Sequence, residues 1–448
     1  MGIRGLKTFL MNRAKTGIRH HASVREFVVA ENVRLGAQNF IVGIDASNFL
    51  IKYIAHADRT EPAFFKQIIS SITAGMYPIF IFDGKAPLAK GATIKKRQKK
   101  MEKNKQQFNE LRSKIQNYEM SLYIEESKEP NPVSFDSSSW ESNDDWDTVS
   151  VVPVQSDLSD SSTDTDEVMI VPDSMDIDHM SERICSKPIQ IVPHDNISLT
   201  QINNSEEYKL LKTELEKCRK RTRKFDQTDI DNLKAFLDFV KIPHITAPEE
   251  SDNLMAELYK EKIIDFCLTD DSDMLPKGCG NVIQITSSKD TGFGKNGPSV
   301  TQYILEDILI ELEMTFHQFV DFCIILGCDY FEDIVLSDDP QTTYEIFMKY
   351  PSIEQYVKEY RSNASAYMEQ IVNSRKEFMD FNINLNGMKR IRRDNTNYYF
   401  KFSIDKIIDY FVTHGIIYDK NYMKSCEKLT YNANKNLKYD WIFSIYDG

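Results

Sequence analysis

Phe40-Ile41-Val42-Gly43-Ile44 and Pro78-Ile79-Phe80-Ile81-Phe82 are short unbroken apolar runs, and each is followed at once by an aspartate, Asp45 and Asp83. A strand with one face in water alternates apolar and polar residues. A strand covered on both faces has no polar positions to fill, so these runs predict buried strands of a parallel sheet. Between them, residues 64–72 read as a crossover helix, giving a strand–helix–strand unit with a right-handed connection. A third run, Ile263-Ile264-Asp265-Phe266-Cys267-Leu268, ends at Thr269-Asp270-Asp271. Farther on, Phe316, Phe319, Val320, Cys323 and Ile324 recur at helical spacing, and Gly327 is placed to stop that helix. The pattern predicts an α/β fold with a central, mainly parallel sheet flanked by helices.

The chain of 448 residues is 41% hydrophobic and 27% charged, enough to bury a sizeable core. No stretch of eighteen apolar residues occurs, the N-terminus has no signal-type apolar run, and Leu6 breaks the myristoylation pattern. These features predict a soluble intracellular protein with no membrane partner. Seven cysteines, at 185, 218, 267, 279, 323, 328 and 426, form no C-x-x-C pair and read as reduced core residues. The net charge of -13 is unevenly spread. Residues 125–182 hold seventeen Asp and Glu against one Lys, so that segment carries -16 and the remainder is at +3. Rich in Ser, Asp and Thr and without helical period, the stretch 125–200 predicts a disordered insert. Basic stretches flank it, seven Lys and Arg among residues 95–105 and six among 217–224. Either alone reads as a solvated helix face; together, beside acidic motifs, they read as a phosphate-binding gateway. The predicted division is 1–122, an insert at 123–204, 205–345 in the same folded domain as 1–122, and a helical extension at 346–448.

In an open parallel sheet, ligands bind beyond the carboxyl ends of the strands. Asp45, Asp83 and the Asp271/Asp273 pair all follow apolar strands and should project into one crevice. A single Asp after a strand is usually a turn or helix-cap residue; three strand ends in a row point to a site. The spacing of Asp271-Ser272-Asp273 predicts both side chains on one side of an extended segment, where they repel unless a cation lies between them. Glu250 and Asp252 come from Ala247-Pro248-Glu249-Glu250-Ser251-Asp252. There Pro248 suits the first turn of a helix whose positive end favours acids. Asp329, in Leu326-Gly327-Cys328-Asp329-Tyr330, follows a buried-looking helix. An oxygen-only ligand set selects hard cations, Mg²⁺ with Mn²⁺ as substitute. Two such ions about 4 Å apart would activate a water and stabilise the leaving oxygen of a phosphodiester. Gly292-Phe293-Gly294-Lys295-Asn296-Gly297 fits G-x-G-x-x-G, but polar residues separate it from a strand and Pro298 follows, so it reads as a plain glycine loop.

At these motifs the chain resembles the flap endonuclease / xeroderma-G type nucleases. The start Met1-Gly2-Ile3-Arg4-Gly5-Leu6, Val42-Gly43-Ile44-Asp45-Ala46-Ser47, Ile81-Phe82-Asp83-Gly84-Lys85-Ala86-Pro87, Thr269-Asp270-Asp271-Ser272-Asp273 and the two acidic motifs above carry the likeness. It implies a PIN-like nuclease domain with a helical gateway. It further implies that Asp45, Asp83, Glu250, Asp252, Asp271, Asp273 and Asp329 hold two Mg²⁺ ions, with Lys90 and Arg97 as catalytic cations on the gateway helix. The implied activity is structure-specific endonuclease or 5′ exonuclease cutting of branched or 5′-ended DNA in replication, repair or recombination. Three departures stand out. Ile334-Val335-Leu336-Ser337-Asp338-Asp339-Pro340 has no glycine where the family has a phosphate-gripping Gly-Ile-Gly turn. The stretch between Asp45 and Asp83 is short. No sliding-clamp motif closes the tail. Together they suggest a divergent copy from a large DNA virus, acting in the host nucleus or a cytoplasmic replication site; a cellular copy would act in the nucleus.

Two other readings are open at this point: an RNase of the same fold that degrades messenger RNA, and a catalytically silent nucleic-acid-binding scaffold, against which all seven acids argue. Within the insert, 149–153, 168–172 and 189–193 are β-branched segments ending in proline. Such segments can add as a strand to a partner's open sheet edge, in the manner of SUMO recognition.

Overall fold

The computed structural model describes residues 2–36, 40–55, 57–85, 90–126, 206–286, 299–331, 339–350, 352–360, 364–381, 383–385 and 403–429. Most of the acidic segment with its three β-branched segments, the 292–297 loop, residues 334–338 and the basic cluster at 389–393 lie outside these.

The described strands are β1 (Ile18–His21), β2 (Phe40–Asp45), β3 (Met76–Phe82), β4 (His244–Thr246), β5 (Phe266–Leu268), β6 (Asn281–Thr286) and β7 (Ser299–Ile304). They form one sheet in the order β1-β7-β6-β5-β2-β3-β4. β2 runs parallel to β3 and β5, β3 to β4, and β5 to β6, whereas β7 is antiparallel to both β6 and β1. The expected PIN-like class is corrected: the fold is mixed α/β, with an antiparallel edge of three strands that the sequence reading did not contain. The reason is physical. Only strands buried on both faces give continuous apolar runs, and β6, Asn281-Val282-Ile283-Gln284-Ile285-Thr286, is partly exposed and mixes polar with apolar residues. The third expected strand is also shorter than its apolar run, since Ile263 and Ile264 lie in the turn before β5.

The alternation of β2 explains its run. Phe40, Val42 and Ile44 join one core with Phe64, Phe65 and Ile68 of α4 (Glu61–Ala74), while Ile41 joins a second core with Leu254 and Leu258. Each fully buried side chain of this size is worth about 1.5–3 kcal/mol. From β2 the chain passes through α3 (Ala46–Ile54) and α4 to β3 and β4, then returns on the other side of β2 as β5 and β6. The strand order therefore reverses at β2, and the carboxyl ends of β2 and β5 border the crevice where such sheets bind ligands.

The chain divides into two compact units, residues 1–110 with 214–448 and residues 111–213. In the first, α10 (Phe316–Leu326) begins with a Thr315/Gln318 capping box, ends at Gly327, and is buried along most of its length. Arg375 in α13 (Ala364–Met379) meets Asp321 of α10 through two bonds of 2.6 and 2.7 Å and Glu354 of α12 (Ile353–Tyr360) through one of 2.5 Å. Ile404, Ile407 and Phe411 of α14 (Ile404–Thr413) enter the same core as Phe40. In the second unit, the end of α5 (Gly91–Glu126) and the start of α6 (Glu206–Thr222) carry a stacked pair, Tyr118 on Tyr208 at 5.7 Å. No described helix is long and apolar enough to cross a membrane.

Candidate active site

Asp45 closes β2 and caps α3. One carboxylate oxygen accepts from the Asn48 N–H at 3.0 Å and the other from the Thr269 hydroxyl at 2.9 Å, just past β5. The pair thus spans the reversal of strand order. Asp83 follows β3 and accepts from both the N–H and the hydroxyl of Ser251, at 2.9 and 2.7 Å. Ser251 opens α8 (Ser251–Lys260), so Asp83 supplies from another strand the acceptor that a helix N-terminus needs. That corrects the placing of Pro248 in the first turn: the helix starts three residues later, where its first N–H is satisfied. The adjoining Gly84 donates to the Glu249 carbonyl at 2.6 Å, and a side chain there would run into the Ala247 carbonyl. Glu250 sits at the cap position without capping, and Asp252 lies in the first turn.

Asp271 and Asp273 do not lie on an extended segment as expected. Residues Ser272–Met274 form a 3-10 turn, with Asp271 accepting from the Asp273 N–H at 3.2 Å and its own N–H donating to the Thr269 hydroxyl at 3.1 Å. An Asp side chain that bonds the backbone two residues on favours a turn over extension. The chain's start packs here: the Ile3 N–H donates to the Ser272 hydroxyl at 2.9 Å, and a side chain at Gly2, whose φ is +76°, would collide with Asp271, Ser272 and Asp273.

The carboxylates fall into two environments. Asp45, Asp252 and Asp273 are buried, Asp273 completely; among the described residues, one oxygen of Asp252 and both of Asp273 have no hydrogen-bond partner. Burial first, then neighbouring acids, pushes Asp45 up to about 7 and Asp273 to about 8. Burial and the nearby Asp271 hold Asp252 well above the usual carboxylate range. Glu250 and Asp329 are instead paired with cations. Lys90 lies 2.5 Å from Glu250 and 3.9 Å from Asp329, and Arg97 lies 2.5 Å from Asp329. Burial works to raise Glu250, but the Lys277 and Lys90 ammoniums and the Tyr330 hydroxyl, donating at 2.8 Å, outweigh it and hold its carboxyl below the ordinary value. Burial opposes the charge on Lys90, and Glu250 overcomes it, so its ammonium is held more firmly than usual.

Asp45, Asp83, Asp271 and Asp273 therefore follow the carboxyl ends of strands, Glu250 and Asp252 lie at the start of α8, Arg97 lies on α5, and Lys90 and Asp329 lie just before α5 and just after α10. Sequence reasoning missed Lys277, whose fully buried ammonium reaches Glu250 at 3.3 Å and also Asn253 and Tyr330. It also gave no role to Thr269 or Ser251. Lys277 sits in Leu275-Pro276-Lys277-Gly278, a turn with no periodic pattern to flag it. Among the described residues no group of three or more Asp, Glu, His or Cys side chains is drawn together as a ready-made ligand shell. The donor set nevertheless fits a hard divalent cation. It is all oxygen, and its buried, unpartnered carboxylate oxygens are a standing electrostatic cost that a cation would remove.

Residues 1–104 match the family model for the XPG N-terminal domain, and residues 241–329 match the XPG I-region. Over these two segments the chain is similar to XPG-type proteins, and its mixed α/β sheet stands in place of the PIN-like class expected. Flap endonuclease 1 of Entamoeba histolytica is 36% identical over 143 residues, 32% of this chain and 37% of that protein. Flap endonuclease 1 of Enterocytozoon bieneusi is 33% identical over 134 residues, 30% of this chain and 36% of that protein. The match spans little more than a third of the length of these relatives. Among solved structures, the catalytic core of Rad2 in complex with DNA substrate aligns with a TM-score of 0.49 at 14% identity, covering 97% of this chain and 100% of that one. Flap endonuclease-1 from Methanococcus jannaschii aligns at 0.45 and 14%, covering 92% and 96%. The viral source suggested by the sequence departures gains no support from these relatives.

Proposed function

We propose that the chain is a divalent-metal-dependent, structure-specific nuclease that hydrolyses phosphodiesters at 5′ flaps, branches or ends of DNA. The observation that carries this reading is the burial of the Asp273 carboxylate, with both oxygens lacking a donor among the described residues, beside Asp271 and within the field of Lys90. A fold bears such a charge only where something else neutralises it. Asp45, Asp83, Glu250, Asp252, Asp271, Asp273 and Asp329 are the residues that would hold two Mg²⁺, or Mn²⁺ in their place. When bound, the metal supplies an activated water and a charge that stabilises the leaving oxygen. Lys90 and Arg97 neutralise charge developing on the scissile phosphate, and the basic stretches at 95–105 and 217–224 draw in the backbone. The relatives' names support the flap substrate, and a role in replication or repair follows from that chemistry. The β-branched segments at 149–153, 168–172 and 189–193 stand as a proposed docking site for a SUMO-like partner, tested by NMR titration of a 145–195 peptide with SUMO.

A cleavage panel of 5′-flap, gapped, nicked and four-way DNA, with single-stranded RNA as the competing substrate, in Mg²⁺ and in EDTA tests the reading. Mg²⁺-dependent cutting of flap or branched DNA is expected. Cutting confined to RNA, or no cutting at all, would overturn it.

A further inference from the structure

Lys277 is a fully buried lysine that the proposed chemistry does not use. Its ammonium bonds Asn253, lies 3.3 Å from Glu250 and 3.4 Å from the Tyr330 hydroxyl, and stands 5.8 Å from the ring centre of Phe381. Its own N–H donates to the Asp273 carbonyl at 3.1 Å, which ties the lysine to the turn that carries Asp271 and Asp273. Burying an ammonium is costly, and replacing buried ion pairs with apolar residues is often neutral or stabilising, so packing alone does not call for a charge here.

Charge counting does. When the seven carboxylates are ionised they carry more negative charge than the lysines and arginine beside them offset, and Lys277 is the offsetting cation whose side chain is fully enclosed. Arg97 on α5 and Lys90 just before it are less enclosed, with 41% and 13% of their side chains exposed, whereas none of the Lys277 side chain is.

We propose that Lys277 is a positioning residue, a permanent internal counter-cation that is held by Asn253, fixes Glu250 directly and through Tyr330, and sets the charge of the carboxylate cluster for two divalent ions. The proposal rests on the metal reading of the site. It makes Lys277 and the divalent ions partners in one electrostatic balance, so removing one should strengthen the demand for the other. The coupling is thermodynamic and does not depend on turnover.

The test is a cycle on the full chain: thermal unfolding of wild type, Lys277→Met, Lys277→Gln and Lys277→Arg, each in EDTA and in Mg²⁺, with calorimetric Mg²⁺ titration. The two neutral variants should lose more stability in EDTA than in Mg²⁺, so that Mg²⁺ raises their Tm by more than it raises wild type. Their tighter ion should bind on the order of tenfold more strongly, as expected when one like charge is removed a few ångströms away. Lys277→Arg should behave as wild type. Equal Tm losses with and without Mg²⁺, or neutral variants that fold in neither condition, would make Lys277 a core residue and overturn the proposal. If Mg²⁺ and Mn²⁺ neither bind wild type nor raise its Tm, the metal reading itself fails, an outcome distinct from metal binding without coupling.

Discussion

The carboxylates of the crevice divide into two regions that treat the same chemical group in opposite ways. Around α8 and α5, Glu250 and Asp329 are met by Lys90, Arg97, Lys277 and Tyr330, and Glu250 is held ionised below its ordinary value. Past the ends of β2 and β5 and in the first turn of α8, Asp45, Asp273 and Asp252 are buried without a paired cation, with Asp45 pushed up to about 7 and Asp273 to about 8. Burial is shared by both groups; the difference is the supply of cations. The first region is balanced as the chain stands and has side chains to spare for a phosphate. The second is balanced only with a proton or a divalent ion.

The largest expected difference comes from removing acids that adjoin the unbalanced region. Asp271→Ala, or Asp83→Ala at its edge, should abolish cleavage of a 5′ flap while DNA binding measured by gel shift or anisotropy is largely kept, because neither residue is a phosphate-binding cation. Full-rate cutting by either variant would remove the ligand assignment. In the balanced region the effect should be smaller. Lys90→Ala or Arg97→Ala should slow the single-turnover step about 10²-fold or more, the scale for losing one charge-stabilising donor. Unchanged single-turnover rates would make them structural partners of Glu250 and Asp329 only.

Gly2→Ala sharpens the comparison without changing a charge. A methyl group there meets Asp271, Ser272 and Asp273 at a backbone φ of +76°, and overpacking of this kind costs about 1–3 kcal/mol. A lower Tm with weaker Mg²⁺ binding is expected; a variant indistinguishable from wild type in both would show that the chain's start does not bear on the turn.

The smallest effect is on pH. Asp45 and Asp273 have folded values above the unfolded carboxylate value of about 4, so between about 4 and 8 the folded chain holds more protons than the unfolded one. In EDTA their contribution to stability is therefore fully present at low pH and is lost as pH rises through about 7 and 8. Mg²⁺ should flatten this trend, since ions replace the protons. A metal-free Tm that these two residues do not lower between pH 6 and pH 8, judged against Asp45→Asn and Asp273→Asn, would contradict the assignment of the unbalanced region.

The parts legible in the sequence are those where one physical constraint acts on consecutive residues. β2 and β3 had to be apolar throughout because both faces are covered, and the aspartates that end them are visible for the same reason. α10 shows its apolar positions at helical spacing and its stop at Gly327. The antiparallel edge was missed because β6 and β7 are partly exposed and mix polar with apolar residues. The class expected from resemblance was corrected along with it. Asp271 and Asp273 were placed at the right strand end but on the wrong backbone, since spacing does not reveal that an Asp side chain will capture an N–H two residues on. Lys277 was invisible because its partners, Asn253, Glu250 and Tyr330, come from two distant stretches of chain and meet only in the folded site.

The most direct measurement is anomalous diffraction from crystals of the full chain equilibrated with Mn²⁺. Two peaks should lie among Asp45, Asp83, Asp252, Asp271 and Asp273, with Glu250 and Asp329 reaching toward them and Lys277 still bonded to Asn253. Anomalous density absent from that crevice, while Mn²⁺ occupies acidic sites elsewhere on the chain, would contradict the claim that the buried carboxylates form the metal centre.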